Sequence, residues 1–130
     1  MTRSSRSFRL AIAAALFYSA PATADDIDLD YLGAIPAEYH GRWNSDPALC
    51  ARFTGRYRLQ IAANRLDVAG DRFKTEYIAS QEDGGIFVSS RYVGPARPWD
   101  RSETYNLAEG GKVLINRHAG RVIRRYRCPR

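Results

Sequence analysis

Cysteine, histidine and lysine are scarce in this 130-residue chain, with two of each, and each scarcity removes a class of function. His40 and His118 have no second ligand at metal-binding spacing, so zinc would need both to converge with carboxylates. No metal and no cofactor is expected. There is no G-x-S-x-G elbow, and no serine, histidine and acid are patterned as a nucleophilic triad. Carboxylate pairs such as Asp100/Glu103 and Asp67/Asp71 have no feature that marks an acid–base couple. No catalytic residue is therefore assigned. No segment approaches the roughly 20 apolar residues of a membrane-spanning helix, and there is no internal repeat or low-complexity tract.

The N-terminal segment gives an address. Arg3, Arg6 and Arg9 precede an apolar stretch, Leu10 to Phe17, and Ala22-Thr23-Ala24 offers a peptidase an A-x-A site. Residues 1–24 are expected to be a cleaved signal peptide, leaving a periplasmic or secreted bacterial protein that starts at Asp25. The arginines are not adjacent and no cysteine follows the apolar core, so neither a twin-arginine route nor a lipid anchor is indicated. Asp25, Asp26, Asp28 and Asp30 give residues 25–34 the composition of a flexible acidic lead. Asp26, Asp28 and Asp30 have the spacing of the first ligands of a calcium loop. Tyr31 then stands where that loop needs glycine, and Ala37 where it needs glutamate.

In an oxidising compartment, Cys50 and Cys128 are expected to pair, stapling residues 35–130 into one domain. Closing a loop of 128 − 50 = 78 residues is worth roughly 4.5 kcal/mol in the chain-entropy model. The formal charge of +6 falls to 6 − 3 = +3 without the three arginines of residues 1–24. Lys74 and Lys112 are the only lysines, so the remaining positive charge is almost all arginine, suited to phosphate, carboxylate and aromatic faces. For an exported chain, nucleic acid is not the expected partner; an anionic envelope component or an envelope protein is.

Helical signals are short: a turn through Ala37-Glu38-Tyr39, and a segment Pro47–Phe53 with Asp46 placed to cap it. From Arg56 the period is two. Tyr57, Leu59 and Ile61 alternate with polar residues, and further runs are centred on Leu66, Phe73–Ala79, Ile86–Tyr92, Tyr105, Val113–Ile115 and Val122–Cys128. Ala69-Gly70, Asp83-Gly84-Gly85, Gly110-Gly111 and Ala119-Gly120 separate them. The fold class is all-β: a small antiparallel meander of about seven strands, forming a barrel or a strongly curved sheet after one or two short helical turns. Tyr57, Leu59, Ile61, Phe73, Tyr77, Phe87 and Tyr92 are expected to fill the interior.

Gly41-Arg42-Trp43 and a last-strand arginine resemble the lipocalin and wider calycin group of small exported barrels. Those proteins tend to enter the barrel through G-x-W and to pack an arginine of the final strand over the tryptophan. The resemblance implies that Trp43 and Arg124 close the barrel, with Arg124 on the inward face beside Val122, Tyr126 and Cys128. Arg121, Arg125 and Arg127 would then point outward, a positive stripe that discourages aggregation if the strand is an edge.

The loop Gly94-Pro95-Ala96-Arg97-Pro98-Trp99, with Asp100-Arg101 behind it, is the best candidate for a contact surface. Two prolines stiffen it, and Arg97, Trp99 and Arg101 are residue types that anchor interfaces. The opposing expectation is that Trp99 folds inward as a cap. The expected function is non-catalytic binding of a small apolar or anionic envelope component, which needs a real cavity. The alternative is an envelope interaction or inhibitor protein that uses residues 94–101 and has a filled core. A small hydrolase is the second alternative, and it would have to show a polar cleft with His118 or a carboxylate pair.

Overall fold

Alternating side chains make a wall with one dry face, and this wall closes on itself. The computed structural model describes residues 30–130; the expected signal peptide and residues 25–29 of the acidic lead lie outside them. Eight antiparallel strands follow one another around a closed barrel. They are β1 (Gly41–Asn44), β2 (Leu59–Ile61), β3 (Arg65–Val68), β4 (Asp71–Ser80), β5 (Ile86–Tyr92), β6 (Asp100–Ala108), β7 (Val113–His118) and β8 (Arg121–Arg127). The all-β meander is as expected, and its topology is compatible with a calycin-like fold.

The strand beyond the expected seven is β1. Its four residues are too few for alternation to register, yet they close the barrel: Gly41 pairs with Ile61 of β2, and Trp43 with Arg127 of β8. β8 is consequently not an edge, and its arginines guard no open hydrogen-bonding face. The two-residue turns Ala69-Gly70 and Ala119-Gly120 have φ of 51° and 92°, and of 49° and 75°. That left-handed geometry matches the twist of the strands they join.

Trp43, Leu59, Leu66, Phe73, Val88 and Leu114 form the centre of the buried core. Tyr77 and Phe87 were expected there but lie on the outer wall. A register shift between Thr75 and Tyr77 in β4 reverses which residues face inward, so Ile78 is buried and Tyr77 is not. Outside the barrel, the Tyr77 ring packs on Phe87 at 5.5 Å and on Tyr31 at 5.0 Å.

Part of the acidic lead thereby lies on the wall, which corrects the picture of a loose segment running to residue 34. β4 outruns β3, and Asp30–Leu32 occupies the vacated side: Leu32 N–H donates to Ile78 at 2.9 Å, and Ser80 N–H to Asp30 at 3.0 Å. A 3-10 turn, Ala37–Tyr39, follows and buries Tyr39 against one barrel end. A second turn, Pro47–Leu49, is a shorter version of the expected segment, capped by Asp46, which accepts from Ala48 N–H at 2.9 Å. Cys50 and Cys128 are disulfide-bonded as expected. The Cys128 N–H also donates to Arg42 O at 2.8 Å, holding the end of β8 beside β1, and the disulfide ties the Cys50 segment to that end.

Candidate functional site

The two barrel ends differ in what they leave exposed. At the end where β1 begins, Trp43 is fully buried and its Nε1 donates to Tyr39 O at 3.0 Å. A guanidinium lies 4.2 Å over its ring, and it belongs to Arg127, not Arg124. Arg127 also donates to Gly111 O at 3.0 Å, His40 O at 2.7 Å and Glu38 O at 2.5 Å, tying β8 to the 3-10 turn and the β6–β7 connection. The tryptophan–arginine pair implied by the lipocalin resemblance is thus formed by a different arginine. The expected face assignment of β8 is inverted: Arg125 is buried, whereas Val122 is exposed and Arg124 points outward to Glu109 at 2.7 Å. Alternation in an arginine-rich strand leaves two phases open. Turning Arg125 and half-buried Arg127 inward gives their side chains more partners than Arg124 has outside.

Arg101 was expected on the contact surface and is instead part of the interior. It pairs with Glu103, which is 2% exposed and also lies 4.0 Å from His118 Nδ1. Burial pushes the Glu103 carboxyl above its usual range, while Arg101 pulls it back. On the facing wall, buried Arg125 donates to Tyr57 O at 2.7 Å and to Asn116 Oδ1 at 2.8 Å. Burial pushes Arg125 down to about 10, so it remains charged at neutral pH. Glu103 Oε1, Ser90 Oγ and Tyr105 OH have no hydrogen-bond partner among the described residues. This part of the barrel is filled with a charged network.

The loop after β5 lies over the end where β2, β4, β6 and β8 begin. Tyr92 N–H donates to Trp99 O at 2.9 Å and Val93 N–H to Arg72 O at 2.8 Å, so both the loop's base and its flank are fixed. The Trp99 ring meets Phe73 edge-on at 5.0 Å and stacks with Tyr92 at 6.1 Å. It caps the core and still leaves 45% of its surface exposed; Val93 is 52% exposed. Trp99 thus folds partly inward as a cap, with the rest of the ring exposed. Arg97 is exposed, so the structure brings Arg97 and Trp99 to one surface and takes Arg101 away from it.

Beside the loop, a groove of about 500 Å³ crosses the outer wall between Phe53 and the Val93–Pro95 segment, with Gln60, Asp67 and Arg72 among its lining. Phe53 and Val93 were not singled out from the sequence: Phe53 sits in an irregular segment, and Val93 continues an alternating run past the strand's end. Asp67 and Asp71 both line the groove, and Asp67 is held by Arg65 and Arg72 at 3.5 Å each. Among the described residues, no three His, Cys, Asp or Glu side chains are grouped as a metal would need, and no helix is long and apolar enough to cross a membrane. No protein family, no curated protein and no solved structure matches this chain.

Proposed function

We propose that the protein is an exported, non-catalytic binding protein that engages its partner with the loop face of the barrel and does not carry a ligand inside it. The observation that carries this reading is the pairing of exposed Val93 and Trp99 on a loop anchored by backbone hydrogen bonds and aromatic packing. A fixed loop loses little conformational entropy on binding, and a half-exposed tryptophan supplies a large contact area. The interior offers less. Its centre is occupied by Trp43, Phe73 and Tyr105, and its polar part by the Arg101–Glu103 pair and Arg125. The disulfide suits an oxidising compartment, and the closed meander with its Trp43–Arg127 stack supports kinship with the lipocalin-like barrels.

The test is site-specific photo-crosslinking in producing cells, with the probe at position 97 or at position 82 in the turn of the opposite end. The reading expects an adduct from 97 that 82 does not give. Equal labelling from both, or none from 97, refutes it, as does native mass spectrometry that shows a small molecule retained by the folded chain and released on unfolding.

A further inference from the structure

The connections at the two ends of this barrel differ in charge, although exposed Lys112 and Arg130 put positive charge at the end opposite the loop face as well. Strands β2, β4, β6 and β8 start at the loop face, and Arg56 ahead of β2, Arg97 in the loop and Arg121 at the start of β8 are exposed there. None forms an ion pair among the described residues. The carboxylates of the same face are mostly engaged: Asp46 caps its 3-10 turn and Asp100 binds Arg91 at 2.9 Å, leaving Asp71. Residues 93–99 contain no acid. Glu38, Glu82, Asp83 and Glu109 all lie in the connections of the opposite end. Of the four large hydrophobic residues exposed among the described residues, Val93, Trp99 and Val122 belong to the loop face, Val122 directly following Arg121.

We propose that the partner of this face is an anionic lipid surface; the inference rests on the reading that the loop face is the contact surface. Unpaired arginines meet lipid phosphates bidentately and are drawn to a negative leaflet. A half-exposed tryptophan in a loop that also carries Val93, Pro95, Ala96 and Pro98 suits the headgroup boundary, where one side of the ring is wet and the other dry. Trp99 can enter that boundary without leaving Phe73, because 45% of its surface is exposed while it is packed on that ring.

The experiment is co-sedimentation of the full chain with vesicles of phosphatidylcholine alone or of phosphatidylcholine mixed with phosphatidylglycerol, with tryptophan emission recorded in parallel. Trp43 is fully buried, so a vesicle-induced blue shift reports Trp99. Binding to the anionic vesicles is expected to be at least about ten-fold tighter, accompanied by the blue shift and weakened by salt. An Arg97→Glu/Arg121→Glu variant should lose about ten-fold or more of that binding, with its thermal transition unchanged because neither side chain is packed. Arg56→Glu provides a second probe should the double variant fail to fold, and Lys112→Glu at the opposite end should bind as wild type. Equal binding to both vesicle types, no binding to either, or full binding by the arginine variants overturns the proposal. A protein adduct from position 97, with no vesicle binding, would retain the loop face and replace the lipid with an acidic protein.

Discussion

Replacing Arg101 with methionine separates an interior role from a surface one. Arg101 faces into the barrel with 10% of its side chain exposed, and its partner Glu103 has none. Methionine fills a similar volume but leaves the Glu103 carboxylate without its nearest counter-charge, with His118 at 4.0 Å and Arg125 the groups that still lower its pKa. Removing one partner of a buried ion pair typically costs about 3–5 kcal/mol, because the remaining charge stays desolvated. In a domain of this size, that lowers the melting temperature by roughly 15–30 °C.

The pH dependence carries the sign. Burial already raises the Glu103 pKa in the folded state above its unfolded value, so its favourable contribution is complete below the unfolded value and is lost as pH rises. Without Arg101 that rise is larger. The melting-temperature deficit of Arg101→Met should therefore be greatest at neutral pH and shrink as pH falls toward the ordinary carboxylate range. Arg101→Met/Glu103→Leu removes both charges and should recover most of the loss. Calorimetry of the three proteins from acid to neutral pH measures all of this. A deficit that stays small at neutral pH, or that is independent of pH, would refute the assignment of Arg101 to a buried pair.

The disulfide should contribute roughly 4.5 kcal/mol by loop closure, so Cys50→Ser/Cys128→Ser should unfold at a correspondingly lower urea concentration. Arg127→Ala should cost about 2–3 kcal/mol, since three carbonyls lose a charged donor, whereas Arg124→Ala should cost under about 1 kcal/mol. Equal effects in urea titration would place the wrong arginine on Trp43. Ala69 and Ala119 hold left-handed φ that favours Asn or Gly, so Ala69→Asn and Ala119→Asn should each raise stability by about 1 kcal/mol in the same assay.

The sequence by itself determined the class of fold. Period-two alternation and glycine-bearing turns admit little other than an antiparallel meander, and the chain's two cysteines have only each other to bond. It also singled out the loop carrying Arg97 and Trp99 as a candidate contact surface, because proline stiffening and residue type are local properties. Four matters were left to tertiary structure. β1 is too short to announce itself and is defined only by the two strands it joins. The irregularity in β4 moves Tyr77 outside, because one extra residue exchanges the two faces of a strand, and Phe87 is outside because β5 buries its neighbours Ile86 and Val88. The phase of β8 depends on which arginines find carbonyl, amide and aromatic partners, so Arg127 and not Arg124 covers Trp43. Arg101, two residues beyond Trp99, has its direction set by the carboxylate inside the barrel. Alternation along a strand is a property of neighbours in sequence, but which of its two faces is inside depends on partners far away along the chain.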